Sequence, residues 1–153
     1  MLKEYISDSA DETFDIGKTF SGCLKCGDVI ALSGDLGAGK TVFVKGIAKG
    51  LNIGELITSP TFNIVREYQG DLKLYHFDVY RLSDIDEFYA IGGEEYFEKG
   101  ICLIEWGELI EDTLPKDYLH IVFSKDEKDE NIRILNIYTN SNRWEDYFEN
   151  IKH

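Results

Sequence analysis

Two short runs, Val29-Ile30-Ala31-Leu32 and Ile101-Cys102-Leu103-Ile104, are apolar at every position and do not alternate with polar residues. Such runs with β-branched residues predict strands buried on both faces, as in a parallel sheet covered by helices. Elsewhere the period changes. Phe14, Gly17, Phe20 and Leu24 recur at helical spacing, and Ser9-Ala10-Asp11-Glu12 precedes them. Ser at the N-cap with Glu three residues later is a capping box, which satisfies two backbone amides at a helix start. A helix to about Cys26 is predicted, ended by Gly27-Asp28. Val44, Ile47, Ala48 and Leu51 share one face and predict a second helix from Thr41 to about Leu51.

The remaining elements follow from the same patterns. Lys3–Ile6 reads as a short edge strand, and Ser59-Pro60-Thr61 as a turn or ordered loop. Phe62–Tyr68 and Leu72–Val79 flank Gln69-Gly70-Asp71 as the arms of a hairpin. Ser83-Asp84-Ile85-Asp86 starts another helix, which Gly92-Gly93 breaks. Tyr118–Ser124 and Ile132–Tyr138 are later strands joined by the acidic loop Lys125–Glu130, and Asn142–Ile151 is a terminal helix. There is no internal repeat. Helices alternating with short apolar strands, plus a hairpin, predict a single three-layer α/β domain with a mixed central sheet spanning residues 1–153.

Composition narrows the function classes. The 153 residues suit one core. A formal net charge of −13, from 29 acids and 16 bases, opposes direct gripping of nucleic acid, which needs clustered Lys and Arg. Any RNA is therefore expected to be held by a partner. No apolar run approaches the roughly 18 residues that span a bilayer. Met1-Leu2-Lys3-Glu4-Tyr5 lacks the apolar stretch of a signal peptide. A cytoplasmic protein without membrane contact is expected. The cysteines, Cys23, Cys26 and Cys102, are odd in number, which argues against a disulfide framework. Cys23-Leu24-Lys25-Cys26 has ligand spacing, but there is no second Cys/His pair to complete a zinc site.

The chemistry concentrates at Gly34-Asp35-Leu36-Gly37-Ala38-Gly39-Lys40-Thr41, a complete P-loop between a predicted strand and a predicted helix. Gly34, Gly37 and Gly39 permit a backbone whose amides point at phosphate oxygens, and the following helix adds the positive end of its dipole. Lys40 is placed for the β- and γ-phosphates and the Thr41 hydroxyl for Mg²⁺. A P-loop needs an acidic partner at the end of a neighbouring strand. Glu105 follows an apolar strand in the Walker-B manner, and Asp78 ends Leu74-Tyr75-His76-Phe77. Ser59-Pro60-Thr61 is placed to sense a γ-phosphate or is simply a turn. Arg81 either meets phosphate charge or pairs with an acid. Trp106 either stacks near the nucleotide or packs in the core, and His76 reads as a packed or paired histidine.

GDLGAGKT at 34–41, SPTF at 59–62, YHFDVYRL at 75–82 and LIEW at 103–106, in that order, resemble the TsaE (YjeE-type) ATPases of bacteria. The resemblance runs from Asp11-Glu12-Thr13 to the strand near Arg133. Besides Arg81 these motifs hold no obvious extra cation over the γ-phosphate, so slow ATP hydrolysis by the isolated protein is expected. The resemblance implies a P-loop NTPase fold with ATP and Mg²⁺ as cofactors. It also implies a role in forming threonylcarbamoyladenosine in tRNA, next to the anticodon. The implied partners are TsaB and TsaD, the transferase site belonging to TsaD, with tRNA reached only through that complex. By motif, Lys40 and Thr41 become phosphate and magnesium residues, and Glu105 the magnesium-associated carboxylate. Asp78 becomes a residue needed for hydrolysis, Thr61 part of a switch-like loop, and Thr13 a neighbour of the base. The implied nucleotide set is Thr13, Gly34, Gly37, Ala38, Gly39, Lys40, Thr41, Val42 and Trp106. Gly107 departs from the family, which often has proline there, and Gly93 adds flexibility after Ile91-Gly92. Two other readings stay open: a small-molecule kinase, which the few arginines (Arg66, Arg81, Arg133, Arg143) disfavour, and a nucleotide-gated module without significant hydrolysis.

Overall fold

The computed structural model describes residues 3–35, 37–58, 64–80, 82 and 85–149. Ser59-Pro60-Thr61, Arg81 and the predicted helix start at Ser83-Asp84 lie outside them. Seven strands form one sheet: β1 (Lys3–Ser7), β2 (Val29–Ser33), β3 (Val65–Gln69), β4 (Lys73–Asp78), β5 (Ile101–Glu105), β6 (Leu119–Lys125) and β7 (Arg133–Thr139). Their order is β1-β7-β6-β2-β5-β4-β3. β2 runs parallel to both β5 and β6, and β4 parallel to β5, while β1–β7, β6–β7 and β3–β4 are antiparallel. The mixed sheet and three layers are those expected from the sequence.

Every residue of β2 and β5 is buried, because helical layers cover both faces of these strands. Ile30, Leu32, Leu74, Ile101 and Leu103 face a core shared with α1 (Ala10–Ser21) and α2 (Lys40–Gly50). Val29, Ala31, Tyr75, Phe77, Cys102 and Ile104 face the opposite core, which includes Phe88 of α3 (Ile85–Ala90). α1 and α2 lie unusually close. A Cβ on Gly46 would stand 2.1 Å from the Phe14 carbonyl oxygen, and one on Gly17 would stand 2.4 Å from that of Phe43. Absent side chains at the crossing seat α1 directly on the helix that follows the P-loop.

Several boundaries differ from expectation. α1 ends at Ser21, and the Gly22 amide closes back on Phe20 and Thr19. Leu24 is still buried; the turn, not a further helical turn, delivers it to the core, so its spacing mimicked helix. The predicted terminal helix is a 3₁₀ turn, Asn142–Trp144, followed by α4 (Glu145–Glu149). Trp144 ties it down by donating Nε1–H to the Asp117 carbonyl at 2.6 Å. Two further 3₁₀ segments, Gly93–Glu98 and Gly107–Thr113, carry no sequence signal strong enough to predict them. Cys23 and Cys26 donate to the Tyr147 and Glu98 carbonyls respectively. Among the described residues no group of metal-type side chains gathers, and no helix is long and apolar enough to cross a membrane.

Candidate functional site

The carboxyl ends of β2, β5 and β4 lie side by side, which puts the loop after β2 next to Glu105 and Asp78. That arrangement is where open α/β sheets place ligands. Gly39 is the N-cap of α2 in a left-handed conformation, φ 106°, and no side chain caps the helix. The first amides of α2 are thus free of an internal acceptor and face the cleft with the positive end of the helix dipole. Gly34, φ 140°, runs against β6, where a Cβ would meet the Phe123 carbonyl oxygen at 2.4 Å. The loop path requires glycine at both positions.

Lys40 turns inward from the first turn of α2. Its ammonium is 3.9 Å from Glu105 Oε1 and 4.5 Å from the centroid of the Trp106 ring. The other oxygen of Glu105 lies 2.8 Å from His76 Nε2. Burial pushes the Glu105 carboxyl upward, but the His76 hydrogen bond, with the charges of His76 and Lys40, outweighs it and holds the group below the usual glutamate value. Asp78 is paired in register with Glu105, and its Oδ1 accepts the Tyr80 amide at 3.0 Å. Trp106 adopts φ 62°, a left-handed conformation that bulky side chains rarely take. Its amide donates to the Leu32 carbonyl at 2.7 Å, and the Tyr80 ring packs against it at 5.4 Å. Gly107 lets this turn press on β2, since a Cβ there would lie 2.7 Å from Ala31 Cβ.

Together these groups line a cleft of about 660 Å³. Of the residues singled out in the sequence, Thr13, Gly37, Gly39, Lys40, Thr41, Val42, Asp78, Glu105 and Trp106 all border it. Gly34 and Ala38 do not. Gly34 shapes the loop from beneath, and Ala38 is buried with its amide bonded to the Asp35 carbonyl at 3.1 Å. Thr61 lies outside the described residues. Thr13 is buried, and its hydroxyl is spent on Ser7 at 2.7 Å. Its methyl group faces Gly39, so it forms a wall of the cleft, not a polar contact.

Sequence reasoning missed Ala10, Asp35, Tyr80, Asn131 and Arg133, which also line the cleft. Asp35 and Tyr80 sat inside quoted motifs. Asn131 and Arg133 had no local signal, because they reach the site only through the pairing of β7 with β6. Arg133 donates Nε–H to the Gly37 carbonyl at 3.2 Å and Nη1–H to the Ile132 and Glu130 carbonyls. Among the described residues no carboxylate forms an ion pair with it. The cleft therefore has two poles. Glu105, Asp78, Tyr80 and Trp106 stand on the β5–β4 side of the loop. Ala10, Thr13, Asn131 and Arg133 stand on the β7–α1 side. Lys40 and Thr41 lie between them.

The sequence model of threonylcarbamoyl adenosine biosynthesis protein TsaE matches residues 7–134. The tRNA threonylcarbamoyladenosine biosynthesis protein TsaE of Bacillus subtilis (strain 168) is 47% identical over 137 residues, covering 88% of this chain and 84% of that protein. The protein of the same description from Aquifex aeolicus is 40% identical over 141 residues, covering 90% and 97%. The crystal structure of Bacillus subtilis YdiB aligns over 97% of this chain and 94% of that one, with TM-score 0.79 and 39% identity. This chain belongs to the TsaE family, which takes part in tRNA threonylcarbamoyladenosine biosynthesis.

Proposed function

We propose that this chain is a cytoplasmic ATPase that binds ATP with Mg²⁺, hydrolyses it slowly alone, and serves threonylcarbamoyladenosine formation through a TsaB–TsaD complex. The observation that carries the reading is one cleft in which Lys40, Thr41, Glu105 and Asp78 meet at the uncapped start of α2. The α2 amides and the Lys40 ammonium supply fixed positive charge for the triphosphate. The donor set fits magnesium: an ionised Glu105 carboxylate and the Thr41 hydroxyl are hard oxygen ligands, with the Asp78 carboxylate beside them. Bound Mg²⁺ would neutralise charge on the phosphates. Asp78, at the end of β4, is positioned to accept a hydrogen bond from the attacking water. The nucleoside lies toward Thr13, Asn131 and Arg133, the pole away from the carboxylates.

Among the described residues Lys40 and Arg133 are the basic side chains lining the cleft, and Arg133 stands at the nucleoside pole. Among the described residues the carboxylate pole has no second cation for the transferred phosphate, and Arg81 lies outside them; in this reading a partner protein supplies or orders the missing charge, as activating proteins do for small GTPases. Phosphate release by the wild type, alone and with saturating TsaB–TsaD, tests this against a Lys40→Ala blank. Slow release alone and a marked rise with the pair are expected. A fast basal rate that the pair leaves unchanged would refute the accessory role, and release equal to the blank under both conditions would refute the ATPase.

A further inference from the structure

The α2-facing side of the sheet changes character near its carboxyl edge. Leu74 on β4 and Ile101 and Leu103 on β5 are apolar and fully buried. The next positions on that face are His76, then Asp78 and Glu105. His76 is 1% exposed, deeper than any carboxylate of the cleft. Its position beneath Glu105 makes it a support, not a wall.

The hydrogen-bond chemistry of His76 leaves little freedom. An ionised carboxylate only accepts, so the hydrogen of the 2.8 Å contact with Glu105 Oε2 belongs to His76 Nε2. His76 Nδ1 is buried with no hydrogen-bond partner among the described residues. The Nε2–H is thus committed to Glu105, and among the described residues the ring makes no other hydrogen bond that would turn it away. With Oε2 held from below, Oε1 is directed to the cleft and to Lys40.

We propose that His76 is a positioning residue for Glu105: its Nε2–H anchors one carboxylate oxygen so that the other is presented to the metal of the bound nucleotide. Partners behind a metal ligand that fix its orientation commonly matter about 10- to 100-fold in metal affinity. This role rests on the nucleotide reading above.

The test uses the full chain and its wild type, His76→Ala and His76→Gln forms. Calorimetric titration with ATP, with and without Mg²⁺, gives the gain in affinity that magnesium confers. His76→Ala is expected to cut that gain about 10-fold or more while leaving the magnesium-free affinity near wild type. His76→Gln, whose side-chain amide can still donate, restores most of it. Nitrogen-15 NMR of the ligand-free wild type should show His76 carrying hydrogen on Nε2, a readout independent of nucleotide and of mutant folding. A bare Nε2, or an unchanged magnesium gain in folded His76→Ala, overturns this role alone. Absence of any wild-type response to Mg²⁺-ATP overturns the nucleotide reading and this role together.

Discussion

Replacing Lys40 by alanine separates what this side chain does for the fold from what it does for the ligand. In the ligand-free site its ammonium is 3.9 Å from Glu105 Oε1, with both side chains 10% exposed. At an effective dielectric of about 20 the pair attracts by about 4 kcal/mol. Desolvation of two buried charges offsets most of that attraction. Glu105 also keeps its bond to His76 when Lys40 is gone, so the carboxylate is not orphaned. Loss of the contact with the Trp106 ring adds about 1 kcal/mol. The ligand-free fold should therefore lose only about 1–2 kcal/mol. Binding should suffer more, because hydrogen bonds to charged groups contribute about 1.5–3 kcal/mol each and in the proposed site the lysine would serve two phosphates. A loss of about 3–4 kcal/mol corresponds to a Kd raised about 100- to 1,000-fold. Calorimetry with Mg²⁺-ATP measures the affinity. Thermal melting measures the fold, and the melting-temperature rise that nucleotide gives the wild type should vanish in the variant. Wild-type affinity in Lys40→Ala, or a binding loss that appears only with gross unfolding, would refute the reasoning.

Glu105→Ala should weaken Mg²⁺-dependent nucleotide affinity, whereas Asp78→Ala should lower turnover more than binding; equal proportional losses of both quantities in the two variants would contradict the division. Arg133→Ala should weaken ATP binding about 5- to 30-fold, or about 1–2 kcal/mol, by removing a cation from the nucleoside pole and releasing the Gly37 carbonyl; unchanged calorimetric affinity would exclude Arg133 from the site. Gly46→Ala should destabilise the fold by about 1–3 kcal/mol or more, because the added methyl meets backbone of α1, not a movable side chain; chemical denaturation with an unshifted midpoint would be the contrary result. Isolated protein should not bind tRNA tightly at near-physiological salt, given its net charge of −13; tight, salt-sensitive binding in an anisotropy titration would mean that the chain itself holds RNA.

Local pattern determined a large part of this protein. The all-apolar runs of β2 and β5 state that both faces are covered, and period alone separates them from α1 and α2. The glycines and Lys40-Thr41 are consecutive, so loop, helix start and cation are written in one stretch. Glu105 is likewise legible, because an acid directly after a buried strand has few reasons to be there. What the tertiary structure decided are relations between distant segments. Leu24 keeps helical spacing although α1 has ended at Ser21, since burial can be reached through a turn as well as through a helix. Arg133 and Asn131 enter the cleft because β7 pairs with β6, which in turn pairs with β2; no neighbour in sequence marks them. His76 was legible only as a packed or paired residue, and its partner was not, because the pairing depends on the register that sets Asp78 opposite Glu105. The close seating of α1 on α2 depends on Gly17 and Gly46 meeting at one crossing, and spacing along either helix alone does not reveal it. Sequence periodicity records which face of an element is buried, whereas strand order and register, set by packing of the whole sheet, choose which side chains meet there.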